Sequence, residues 1–161
     1  MPAQLRSLSA RETAGNYASW NYFQNLARPV NQAFVQRFQA RYGRQRVTGD
    51  PMEAAYVGVH LWAQAVEAAD SDDPQVIRQA LRGQCFCGPG GVVRIDPVNQ
   101  HTWKVFRLGK IVEDGQFEVI ASSEEPIRPE PYAASRSPAA WNAFLADLHQ
   151  RWDGLWANPG R

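Results

Sequence analysis

The chain has no apolar run near the ~20 residues that a membrane-spanning helix needs, so no such helix is predicted. It has little net charge: 17 Lys and Arg against 16 Asp and Glu leave +1, and the basic residues are scattered rather than set in a stripe. That argues against nucleic acid or an anionic membrane as a partner. Histidine is scarce. His60, His101 and His149 lie far apart, and none has a metal-type neighbour at helical spacing, so no metal site is predicted. His60 reads as a packed or rim histidine. Cysteine is limited to Cys85 and Cys87. A one-residue spacing is poor for an intrachain disulfide and too sparse for zinc, and both read as ordinary loop thiols. The sequence also lacks a P-loop, a dinucleotide fingerprint and a G-x-S-x-G elbow. Gly88-Pro89-Gly90-Gly91 has no following Lys-Ser/Thr and reads as a turn before a strand. The carboxylate pairs Asp72/Asp73 and Glu124/Glu125 fall in loop-like stretches and read as solvated. With no convergent acid, base or nucleophile, neither an enzyme nor a cofactor is predicted. Met1-Pro2-Ala3-Gln4-Leu5-Arg6 has no apolar core, so no secretory signal is expected within this chain.

What is present is a set of well-marked helix starts and turns. The 161 residues, 44% hydrophobic and 20% charged, suffice for one domain or two small lobes. Asp50-Pro51-Met52-Glu53 reads as an N-cap, a first-turn proline and a capping-box glutamate. Met52, Ala55, Tyr56, Val59, Trp62, Ala63 and Val66 follow as the packed face of a helix running to about Ala69. Pro29 precedes a helix from about Asn31, with Phe34, Phe38 and Tyr42 on one face and Gly43 as its stop. Asp73-Pro74 starts a short helix ended by Gly83. Residues 17–23 read as a strand entering a loop, residues 92–95 as a strand, and Asp96-Pro97 as a turn. Residues 102–112 alternate and join residues 117–121 through Asp114-Gly115, a hairpin signal. The proline-rich residues 125–132 should be extended. Ser137-Pro138 opens a last helix with Trp141, Phe144, Leu145, Leu148 and Trp152 on one side.

A binding site for a small polar solute needs aromatic walls and a few fixed donors and acceptors. Trp20, Asn21 and Tyr22 offer walls and an amide, and Asp50 and Glu53 offer acceptors at a helix start. From pattern alone the plainer reading prevails: Trp20 and Tyr22 in the core, Asp50 and Glu53 as caps.

The order of residues carries more. Asn16-Tyr17-Ala18-Ser19-Trp20-Asn21-Tyr22-Phe23-Gln24, Asp50-Pro51-Met52-Glu53-Ala54-Ala55-Tyr56 with Gly58-Val59-His60-Leu61-Trp62, and residues 91–104 come first. Asp114-Gly115-Gln116-Phe117 and Pro126-Ile127-Arg128-Pro129-Glu130-Pro131-Tyr132 follow them. Together, over about residues 12–133, the chain resembles the urea- and short-amide-binding branch of the type I periplasmic substrate-binding proteins. The resemblance implies an α/β fold, the C-terminal portion of a two-lobed type I periplasmic binding protein. Helices would lie on a partial parallel sheet, followed by a C-terminal β-hairpin and helix. It implies residues 1–15 as a frayed or truncated terminus and 16–100 as a partial first lobe. Residues 101–133 would hold the crossover strands, hairpin and proline-rich segment of the second lobe, and 134–161 an amphipathic helix and tail. Much of the family's ligand contact would lie in a missing N-terminal part. Trp20 and Tyr22, after a hinge, and Asp50, Met52 and Glu53, at a cleft-facing helix start, are the ligand-binding candidates the resemblance implies. It implies no cofactor, a urea or amide solute, permease subunits of an ABC transporter as partners, and a periplasmic location. The alternatives are a cytoplasmic amide sensor that controls amidase expression, or an inactive truncated fragment. If the second lobe is incomplete, the apolar side of the last helix should be exposed and promote self-association.

Overall fold

The computed structural model describes residues 10–157. They divide into two compact units, one ending at Pro129 and one beginning at Glu130. In chain order the elements are α1 (Ala10–Thr13), β1 (Tyr17–Trp20), α2 (Pro29–Tyr42), α3 (Asp50–Ala69), α4 (Pro74–Ala80), β2 (Cys85–Gly88), β3 (Gly91–Ile95), β4 (Thr102–Trp103), β5 (Arg107–Ile111), β6 (Phe117–Ser122) and α5 (Pro138–Arg151). Of the terminus expected at 1–15, residues 1–9 lie outside the described residues, and α1 buries the Thr13 side chain.

The class is α/β, as expected, but the sheet is not parallel. Two three-stranded sheets form, ordered β1-β5-β6 and β2-β3-β4, and every pairing between these strands is antiparallel. Parallel neighbours require a long crossover. Here the partners β2 and β3 meet at the Gly88-Pro89-Gly90-Gly91 turn, and β5 and β6 at Asp114-Gly115. Both turns reverse the chain within a few residues. Cys85–Gly88, expected as loop, is therefore a strand, held by its register against Gly91–Arg94 of β3. The alternating run 102–112 breaks in two. Thr102 and Trp103 pair with β3, residues 104–106 carry the chain across, and β5 joins the other sheet.

Each sheet has its own core. Phe23, Ile111 and Phe117 cluster on the first, with Trp20, Leu26 and Val119 packed around them. Val57 and Leu61 of α3 cluster on Val93 of the second, with Tyr56, Leu81 and Phe86 around them. Burying each such side chain is worth about 1.5–3 kcal/mol as an upper estimate. The buried face of α3 is Glu53, Val57, Leu61 and Ala65, not the predicted one. Val59 and Trp62 are 65% and 53% exposed. A helix that is apolar on most sides has no unique inward face in its pattern, and the Val93 surface selects the Val57–Leu61 ridge.

The remaining helix signals behave as physics dictates. Asp73 caps α4 by accepting from the N–H groups of Gln75 and Val76. Pro29 is already in the first turn of α2, and Gly43 ends it at φ 105°. Asp96 is buried and closes the turn before β4. Its Oδ1 accepts from the N–H groups of Val98 and Asn99, and its Oδ2 from Trp103 Nε1 at 2.9 Å and Arg128 Nε at 3.3 Å. The proline-rich segment forms no strand; besides the Arg128 contact it holds an isolated bridge, Lys104 to Ile127, and its Pro129 carbonyl accepts from Asn99 Nδ2 at 3.3 Å.

In the second unit Ser137 caps α5 by accepting from the N–H of Ala140. Trp141 Nε1 donates to the Ala133 carbonyl at 2.8 Å, and Arg136 lies over the Trp141 and Phe144 rings. No residue of α5 is buried.

Candidate functional site

The loop after β1, the start of α3, the Gly90 turn and residues 104–107 meet in one place. The N-cap of α3 is Gly49, and no side chain caps the helix. Asp50 stands one position too far along to cap. Its Oδ1 instead accepts from the backbone N–H of Asn21 at 3.1 Å, fixing the loop to the helix. Glu53 does not reach back as a capping box either. Its carboxylate is fully buried. Oε1 accepts from the Gly90 N–H at 3.2 Å and Oε2 from Lys104 Nζ at 2.9 Å. Glycine is required at position 90 because an added Cβ would meet Glu53 Oε1 at 2.9 Å. Both corrections have one cause. A carboxylate next to orphan N–H groups caps only when no stronger donor lies across the fold, and here a lysine and two distant backbone N–H groups do.

Arg107 completes the junction. Its guanidinium donates to the carbonyls of Asn21 and of Gly90, the latter at 2.7 Å, while Asn21 Nδ2 donates to the Val105 carbonyl at 2.9 Å. Burial lowers the proton affinity of Arg107, and the charge of Arg28 adds to this, against the opposing pull of Glu53.

Beside this junction is a small cleft of about 30 Å³, walled by Trp20, Phe23 and Phe117 and edged by Gln24, Asn25 and Gln116. The rings are locked together: Trp20 meets Phe117 edge-on at 5.6 Å, and Phe23 and Phe117 lie 4.8 Å apart. Gln24 Oε1 accepts from the Thr48 N–H at 2.6 Å, and Asn25 Nδ2 donates to the Phe117 carbonyl. Tyr22, wholly buried, lines the floor. Its hydroxyl donates to Asn31 Oδ1 at 2.8 Å and shares a 2.7 Å bond with Thr48 Oγ1. Burial pushes its pKa up to about 12, with Glu53 adding and the Thr48 bond opposing.

Of the predicted site residues, Trp20 and Tyr22 line this cleft. Asp50 does not line it but directly follows Gly49, which does. Glu53 faces the interior instead, and Met52 lies on the surface at 38% exposure. The five candidates therefore do not converge on one point. Sequence reasoning missed Gln24, Asn25, Gln116 and Phe117. The first two stand in the same short segment as Trp20, and that was a usable signal. Gln116 and Phe117 arrive only through the β1–β5–β6 pairing. Among the described residues no group of three or more His, Cys, Asp or Glu gathers to hold a metal, and no helix is long and apolar enough to cross a membrane.

A family model described as periplasmic binding protein domain matches residues 2–138. The chain is 34% identical over 124 residues to a Geobacillus stearothermophilus protein named limonene hydroxylase, which is 77% of this chain and 23% of that one. It is similar in fold to a solute-binding protein of an ABC transporter from Rhodopseudomonas palustris BisB5, solved with 3,4-dihydroxybenzoic acid. There the TM-score is 0.65 at 21% identity, covering 73% of this chain and 33% of that one. An amino acid ABC transporter substrate-binding protein from Pseudomonas fluorescens Pf-5 gives a TM-score of 0.66 at 23% identity, covering 79% and 35%. The chain thus spans about a quarter of the curated relative and about a third of these solved structures.

Proposed function

This chain belongs to the periplasmic binding protein domain family, and on that premise we propose that it is part of a solute-binding component for ABC-type uptake whose solute is urea or a short-chain amide. The observation that carries this reading is the cleft between Trp20, Phe23 and Phe117, edged by three carboxamides. A carboxamide offers one acceptor and an NH₂ donor, the complement of another amide, and aromatic walls exclude competing water. A volume of about 30 Å³ suits a solute of few heavy atoms, since a single water takes ~10–15 Å³ on the same measure. Binding is by hydrogen bonding, without chemistry. The match to the hydroxylase spans 23% of that protein, too small a share to carry an activity here.

In the whole protein the lobes close around solute as a population shift toward the state with more ligand contacts. The closed form then meets permease subunits at the membrane from the periplasm. The unburied apolar side of α5 supports self-association of the chain when it stands alone.

The test is thermal unfolding with millimolar acetamide, urea, 3,4-dihydroxybenzoate or leucine. A solute that binds only the folded chain raises the midpoint by mass action. The expected result is a rise with acetamide or urea alone. A rise confined to the benzoate or the amino acid refutes the solute assignment, and no rise with any of them refutes a site in this chain.

A further inference from the structure

Cys85 and Cys87 play no part in the reading above. As residues i and i+2 of β2 they project from the same face of the strand. Phe86 between them points the other way, stacked on His60 at 4.7 Å and 9° and edge-on to Tyr56 at 6.3 Å. That inward stack fixes which face carries the sulfurs. Both thiols are free and exposed. The register sets Arg94 opposite Cys85 on that face, and Arg28 Nη2 lies 3.8 Å from Cys87 Sγ.

We propose that Cys85 and Cys87 together bind one soft, two-coordinate cation of the Cu(I) type. Two residues of strand advance the chain by about 6.6 Å, close to the upper limit for a disulfide. A metal relaxes that limit. At ~2.3 Å per metal–thiolate bond, a linear S–M–S unit spans about 4.6 Å, within reach of two side chains on one strand face by rotation about their χ angles. Zinc demands four ligands, and no third His, Cys, Asp or Glu joins the pair among the described residues. Soft thiolates with low coordination number select Cu(I) instead. Each thiol gives its proton to solvent as its metal bond forms, and no oxidant is needed. Two thiolates on a monovalent cation leave one net negative charge, which the guanidinium group of Arg28 beside Cys87 offsets.

The experiment is anaerobic titration of the whole chain with Cu(I) against the chromophoric chelator bicinchoninate, alongside C85S and C87S. Both positions are exposed, and circular dichroism checks that each variant keeps the wild-type spectrum. One equivalent of Cu(I) should be withheld from the chelator by the wild type. Each single variant should lose about 100-fold or more in affinity, because the second bond is intramolecular. X-ray absorption of the copper-loaded chain should show two sulfur ligands. Two independent equivalents, retained binding in either variant, a single-sulfur shell or complete loss of copper to the chelator overturns the proposal.

Discussion

Lys104 Nζ lies 2.9 Å from Glu53 Oε2, joining the first turn of α3 to the segment that carries the chain from one sheet to the other. The glutamate side chain is fully buried and the lysine 18% exposed. Removing one member of a buried pair strands the other, at a cost of about 3–5 kcal/mol, and the partial exposure of Lys104 places E53M near the lower end. K104M strands the carboxylate instead and should cost a similar amount. The double variant E53M/K104M should cost less than the sum of the two single changes, because no charge is left unpaired. Urea unfolding of the four chains gives the coupling directly. Simple additivity would mean that the pair is not formed in solution.

Gly109 sits under the first core, where an added Cβ would lie 2.6 Å from Phe23 Cζ and 3.1 Å from Phe117 Cδ1. Neither ring can retreat, since each is packed on the other and on Trp20. G109A should therefore destabilise by about 1–3 kcal/mol through overpacking. Chemical denaturation measures it, and an unchanged midpoint would show that the rings are loose.

Tyr22 links stability to alkaline pH. Its pKa rises from 10.0 in the ordinary phenol to about 12 in the fold, chiefly through burial. The unfolded chain loses the proton first, so the contribution is whole below pH 10 and is lost as pH rises toward 12. Y22F should remove that slope. It should also cost about 1–2 kcal/mol at neutral pH by leaving Asn31 Oδ1 without its donor. Unfolding midpoints from pH 8 to 12 for both chains check the two effects together.

Local chemistry was legible in the sequence wherever a residue acts on its own neighbours. Asp73 caps, Ser137 caps, Gly43 stops a helix and Asp114-Gly115 turns a hairpin, each within four residues of its partner. Asp50 and Glu53 were misread because their partners lie 29, 37 and 51 residues away. No local pattern competes with donors brought in by the fold, an ammonium among them. The same limit hid half of the cleft: Trp20 and Gln24 share a segment, but Phe117 reaches them only through two sheet pairings.

Asp96 links stability to acid pH in the opposite sense. The Asn99 N–H, followed by the Val98 N–H, Trp103 and Arg128, holds its carboxyl down at about 2 from an ordinary 3.8, against the opposing effect of burial. The unfolded chain takes up the proton first, so stability should fall as pH drops from about 4 to about 2. D96N should flatten that limb of the profile. An identical acid limb in both chains would assign the loss to other carboxylates.

Trp20 separates the cleft from the fold around it. It is only partly buried, while Phe23 and Phe117 beneath it are almost wholly so. W20A thus removes a wall of the cleft and part of a core at once, costing about 2–4 kcal/mol, and loss of solute binding in it alone is ambiguous. Q24A has a similar defect, since it frees the Thr48 N–H. Gln116 offers the cleaner probe. It lines the cleft, and its backbone N–H serves the Asp114 turn whatever the side chain. Q116A should leave the free energy of unfolding within about 0.5 kcal/mol of wild type, as a surface change does. It should also weaken acetamide or urea binding about 5- to 10-fold, the worth of one hydrogen bond. Calorimetric titration of Q116A and the wild type reads both the affinity and its enthalpy. Equal affinities would move the solute out of this cleft.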